Sequence, residues 1–125
     1  MNNNSSLSHR DLEPEKGVLY IVGTPIGNLN DLSSRAINIL ENVNLIACED
    51  TRQTKKIMSK FKIKNCMISF NKFNSVKRIP NIIENLTKGK SIALVSDAGM
   101  PNICDPGEEL VKKARTNNIE TVCIP

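Results

Sequence analysis

Three segments carry residue types with chemical potential, and each directly follows a short aliphatic run. Glu49-Asp50-Thr51-Arg52 sets two carboxylates beside an arginine. A carboxylate can take a proton from a substrate hydroxyl, and an arginine can orient an anionic group with its planar fork of donors. The competing structural role is equally well supported: Asp50 or Thr51 caps the helix that begins there, and Glu49 favours its dipole. The second segment, Gly23-Thr24-Pro25-Ile26-Gly27-Asn28, has small residues that let backbone amides approach a ligand near a helix amino terminus. It fits neither a dinucleotide fingerprint nor a P-loop, and alone it reads as an ordinary strand-to-helix turn. The third segment is Ser96-Asp97-Ala98-Gly99-Met100-Pro101, continuing to Asp105-Pro106-Gly107. Its prolines fix φ and its glycines keep backbone exposed, while Ser96 and Asp97 can hydrogen-bond a nucleoside-like ligand. Ligand binding is favoured there over a loop that merely caps its helix. Lys88-Gly89-Lys90-Ser91 imitates the end of a P-loop, but it precedes a strand instead of opening a helix and is rejected.

These segments must be held by β-α units. Aliphatic runs at 18–22, 45–48, 66–68, 92–95 and 121–124 alternate with amphipathic stretches. The expected fold is α/β, an open, mainly parallel five-stranded sheet with helices on both faces. Leu32, Ala36, Ile39 and Leu40 line one helical face, as do Thr54, Ile57, Met58 and Phe61, and then Ile79, Ile82, Ile83 and Leu86. Pro80 is expected in the first turn of its helix and Gly89 just beyond the end. For the last helix, Asp105 is the expected cap, Pro106 the first helical residue, Glu108 the capping-box partner and Asn117-Asn118 the stop. Ligands in such sheets settle beyond the carboxyl ends of the strands, where all three segments lie.

The 125 residues suit one domain at 17–125, and a 39% hydrophobic content with few aromatics gives an aliphatic core. Residues 1–16 are polar, contain the only histidine, His9, and are expected to form a disordered tail. Seventeen Lys and Arg against thirteen Asp and Glu leave +4. The excess gathers at Arg52, Lys55, Lys56, Lys60, Lys62, Lys64, Lys72, Lys77 and Arg78, either a track for RNA phosphates or a solvated face. Cys48, Cys66, Cys104 and Cys123 have no metal-site spacing and read as buried thiols, so no metal is expected. With neither a secretory signal nor an apolar span of about 20 residues, a cytoplasmic protein without membrane contact is expected.

The stretches 17–29, 46–52 and 93–101, with Asp105-Pro106-Gly107, together resemble one family, the ribosomal RNA small subunit methyltransferase I family of the tetrapyrrole methylase superfamily. The resemblance runs from Gly17 to Pro125. It implies transfer of a methyl group from S-adenosyl-L-methionine to the ribose 2′-hydroxyl of a cytidine in 16S ribosomal RNA. The implied cofactor contacts are Pro25, Ser96, Asp97, Ala98 and Gly99. Thr51 and Arg52 would meet the substrate, and Asp50 or Glu49 would serve as base. The implied partner is 16S ribosomal RNA or the small ribosomal subunit, and the full-length parent would be a homodimer. Met100 replaces a usual threonine, and Asn71-Lys72-Phe73-Asn74-Ser75 replaces a histidine- and glutamate-bearing segment. Family members continue into a second α/β domain that walls the cofactor cleft. The chain is therefore expected to be an amino-terminal half, inactive alone. Two alternatives stand beside this reading: a methylase of corrins or other tetrapyrroles, and a non-catalytic truncated ligand-binding fragment.

Overall fold

The computed structural model describes residues 12–24, 32–96 and 105–124. Five strands, β1 (Leu19–Gly23), β2 (Leu45–Cys48), β3 (Met67–Ser69), β4 (Ile92–Ser96) and β5 (Thr121–Ile124), alternate with four helices: α1 (Ser34–Asn42), α2 (Thr51–Lys60), α3 (Ser75–Thr87) and α4 (Gly107–Thr116). The sheet order is β3-β2-β4-β1-β5 and each pairing is parallel. The expected α/β architecture is present, with strand bounds within a residue or so of the aliphatic runs.

Alternation along each strand divides the core. Tyr20 and Val22 face Ala36, Ile39 and Leu40 of α1 and Ile57 and Met58 of α2. Leu19 and Ile21 face Ile79, Ile82 and Leu86 of α3 and Leu110, Val111 and Ala114 of α4. Both faces of β1 and β4 are thus covered, which is why those strands read as unbroken apolar runs.

Three helices end alike, with a left-handed residue one position past the cap. After α3, Gly89 has φ +95, its N–H donates to Leu86 O at 3.0 Å, and Lys90 N–H donates to Asn85 O at 3.0 Å. Asn118 (φ 59) closes α4 in this way and Lys62 (φ 56) closes α2, where Ile63 N–H donates to Met58 O at 2.8 Å. Each is a Schellman closure that satisfies otherwise orphaned carbonyls. Glycine and asparagine enter that conformation readily, whereas lysine is strained there. Lys62→Gly is therefore expected to stabilise the protein by about 0.5–1 kcal/mol, read as a higher denaturant midpoint at unchanged slope.

Four local expectations are corrected. Pro80 lies in the interior of α3, because the helix starts at Ser75. The missing proline N–H deprives the Val76 carbonyl of its usual helical donor, in a turn where Val76 is exposed and water can take its place. Asp105 does not cap α4: Pro106 occupies the cap position, which puts Asp105 one residue too far out, and no side chain caps that end. Glu108 accordingly has no capping-box partner and joins Glu109 in an acidic first turn. Finally, Cys48 is buried, but Cys66 and Cys123 are exposed, since one precedes β3 and the other lies on β5, the two strands with a single neighbour. Cys104 and His9 lie outside the described residues.

Residues 12–16 of the expected tail lie against the domain. The Glu13 carboxylate, only 3% exposed, receives two hydrogen bonds from Arg35 of α1, at 2.8 and 2.7 Å. Asn38 Nδ2 donates to Glu13 O at 3.1 Å, and Glu15 N–H donates to the buried Tyr20 hydroxyl at 2.8 Å. Burial pushes the Tyr20 phenol above its ordinary value, and the Glu13 carboxylate raises the Arg35 guanidinium. Residues 1–11 are outside the described set.

Candidate active site

Parallel connectivity selects one place in the sheet. The crossover after β1 runs over the α1 face to β2, whereas the crossover after β4 runs over the opposite face to β5. β1 and β4 are neighbours whose connections depart in opposite directions, the geometry that opens a crevice at the strand ends. There Gly23 is in register with Ser96, and Thr24 N–H donates to Ser96 O at 3.1 Å. The glycine-bearing and serine-aspartate segments therefore leave the sheet side by side. Ser96 is half-buried and Thr24 buried, and neither Gly23, Thr24 nor Ser96 brings charge to this edge. Pro25, Asp97, Ala98 and Gly99, the other expected cofactor contacts, lie outside the described residues.

On the far side of β4, Cys48 of β2 is in register with Val95, so Glu49 and Asp50 emerge at the same edge. Two strand spacings separate β1 from β2, about 10 Å. Asp50 caps α2, its Oδ1 accepting from Arg52 N–H at 3.0 Å and Gln53 N–H at 3.2 Å. Capping occupies one carboxylate oxygen, and a carboxylate has two. Glu49 and Arg52 are exposed and Thr51 is half-buried. Burying Thr54, Ile57 and Met58 turns the opposite face of α2 outward, and Arg52, Lys55, Lys56, Ser59 and Lys60 share an open, nearly flat surface there. The i, i+3, i+4, i+8 spacing of Arg52, Lys55, Lys56 and Lys60 stacks four cations along one helical stripe. Among the described residues, no group of three or more His, Cys, Asp or Glu is placed to hold a metal, and no helix is long and apolar enough to cross a membrane.

One constructed turn escaped the sequence reading as a structural unit. Between β3 and α3, Asn71 Oδ1 accepts from Phe73 N–H at 2.9 Å and from Asn74 N–H at 3.2 Å. Asn74 Oδ1 accepts from Asn71 N–H at 2.9 Å, while its Nδ2 donates to Ser69 Oγ at 2.9 Å. The asparagines three residues apart after an aliphatic run were the available signal. Arg78 reaches Ser69 Oγ at 3.5 Å from the first turns of α3, and its buried Nε has no partner among the described residues. The turn adjoins the Glu49–Arg52 segment, because Phe70 N–H donates to Cys48 O at 2.8 Å.

Comparison with known proteins agrees with this architecture. Residues 18–125 match the family Tetrapyrrole (Corrin/Porphyrin) Methylases. The chain is 50% identical over 109 residues to the ribosomal RNA small subunit methyltransferase I of Thermotoga maritima, covering 87% of this chain and 49% of that protein. The Leptospira biflexa protein of that name is 45% identical over 111 residues, covering 89% and 46%. That of Halalkalibacterium halodurans is 46% identical over 125 residues, covering 100% and 42%. The chain thus spans somewhat less than half the length of these relatives. Two solved structures share the fold. A cobalt precorrin-4 methyltransferase has a TM-score of 0.70 at 13% identity, covering 96% of this chain and 48% of its own. The uroporphyrin-III-C-methyltransferase of Thermus thermophilus has a TM-score of 0.65 at 18% identity, covering 87% and 46%. With a parallel sheet opening between β1 and β4, and with the family match extending over nearly the whole chain, this protein belongs to the tetrapyrrole (corrin/porphyrin) methylase family.

Proposed function

We propose that this chain forms one half of the site of an S-adenosyl-L-methionine-dependent methyltransferase acting on the ribose 2′-hydroxyl of a cytidine in 16S ribosomal RNA, in the cytoplasm. The observation that carries the reading is the pairing of Gly23 with Ser96 at the crevice, one strand away from the Glu49–Arg52 turn and the basic face of α2. The edge fits the cofactor: Gly23 carries no side chain to obstruct a nucleoside, and Gly23, Thr24 and Ser96 set no cation against a sulfonium. When bound, that group supplies an electrophilic methyl. Pro25, Ser96, Asp97, Ala98 and Gly99 would hold it.

The protein's own part is alignment. Displacement at a methyl group requires the incoming oxygen to be held close and in line with the departing sulfur. Asp50 is the base in this reading, drawing the proton from the ribose hydroxyl with the carboxylate oxygen that capping leaves over, and Glu49 is the second candidate. Thr51 and Arg52 face the substrate, where the guanidinium pairs with a phosphate. Lys55, Lys56 and Lys60 extend the phosphate track. Relatives named as ribosomal RNA methyltransferases favour RNA over a corrin, and so does a basic helix face, which an anionic polymer matches better than a corrinoid.

A binding comparison tests the substrate class. A single-stranded RNA oligonucleotide is expected to bind with log Kd rising linearly with log salt, and a cobinamide probe is expected not to bind. Changing Lys55, Lys56 and Lys60 together to Gln should lower the RNA salt slope by about 2, at about 0.7 for each phosphate left without its lysine. Corrinoid binding combined with indifference to RNA overturns the reading.

A further inference from the structure

We propose that Phe73 is a stacking platform for an unpaired RNA base, flanked by Lys72 and Lys77 as phosphate contacts; this rests on the RNA reading above. The ring is 87% exposed, and Val76, one helical turn on, is 83% exposed. Water contact of that extent on a phenylalanine is unfavourable, by about 25 cal/mol for each Å² of apolar surface. The backbone that carries the ring is nevertheless fixed. The Phe73 backbone N–H donates to Asn71 Oδ1, and Asn71 is locked in turn by Asn74, which is anchored to Ser69. A ring whose backbone is fixed before binding loses less freedom when a flat partner covers it.

Charge identifies the partner. Lys72 Nζ lies 5.4 Å from the centre of the Phe73 ring, Lys77 is exposed one turn into α3, and the neighbouring turn leads into the basic stripe of α2. With Lys72 over one face of the ring, the other face suits a base on an anionic backbone, since stacking needs only a π-face and the cations take the phosphates. The turn follows β3 at the same sheet edge as Asp50, with Ser69 in register with Cys48. A base stacked there belongs to a nucleotide neighbouring the one whose ribose meets Asp50.

Fluorescence anisotropy of the whole chain with a labelled 12-nucleotide single-stranded RNA decides it. Phe73→Ala is expected to raise Kd about tenfold with an unchanged salt slope. Phe73→Tyr should stay within about twofold of the original, while Phe73→Leu should lose as much as alanine. Changing Lys72 and Lys77 together to Gln should lower the slope by about 1.4. Unaltered affinity in Phe73→Ala, or equal affinity of the leucine and tyrosine forms, overturns the platform and leaves the RNA reading standing. So does a change in sedimentation, but not RNA affinity, in Phe73→Ala, which makes the ring a contact between copies. If the unaltered chain fails to bind RNA at low salt, the RNA reading falls and the platform with it.

Discussion

Arg35→Ala is expected to cost about 3 kcal/mol of stability. The guanidinium makes both hydrogen bonds to Glu13, whose carboxylate is 3% exposed against 28% for the arginine. Removing the arginine takes two hydrogen bonds and a counter-charge from a carboxylate that is almost wholly out of water. Its own partial exposure puts the cost at the lower end of the range for broken buried pairs. Thermal unfolding should fall by roughly 10–20 °C. The double change Glu13→Ala with Arg35→Ala should recover part of the loss, since no charge is then stranded. A single-mutant loss below about 1 kcal/mol contradicts a buried pair. Because the pairing raises the guanidinium above its ordinary value, the arginine side of this stabilisation is present throughout the neutral range and is lost only in strong alkali.

Asp50 allows its two roles to be separated. Asparagine caps helices about as well as aspartate, so Asp50→Asn should retain the bonds from Arg52 and Gln53 N–H and hold stability within about 0.5 kcal/mol. It cannot accept a proton. Under the proposed function, methyl transfer to small ribosomal subunits by the full-length parent should therefore fall about 100-fold in Asp50→Asn, whereas Asp50→Ala should show that loss together with about 1 kcal/mol of destabilisation. An asparagine variant as active as the original assigns Asp50 to capping alone and shifts the base role to Glu49.

The parallel sheet was legible because aliphatic runs such as Ile92 to Val95 are covered on both faces, which leaves a contiguous apolar signature. The bounds of β3, three residues long and half-buried throughout, slipped by one residue, as did those of β1, whereas those of the edge strand β5 were read as they stand. Pro80 misled because the start of α3 is fixed by the Asn71 and Asn74 hydrogen bonds, whereas the proline's own preference is for a first turn. The Glu13–Arg35 pair joins positions 22 residues apart, and no local pattern announces a long-range ion pair. At the candidate site, sequence singled out the segments at the right edge but not their neighbours. That Gly23 meets Ser96, and that the Asn71–Ser75 turn adjoins Asp50, depend on strand order, which comes from packing and not from spacing.

Strand order also governs when this chain can begin to hold itself together. The first strand made, β1, has for partners only β4 and β5, and Leu19 pairs with Ile92, roughly seventy residues downstream. At about 5–20 residues per second of synthesis, β1 waits several seconds on the ribosome with no edge to join. During that interval the β1 run, apolar on both sides, is a natural binding segment for a chaperone. Arrival of β4 converts two separate pieces, β1 and the β2–β3 pair, into one sheet, so commitment to the native state comes late and in a single event.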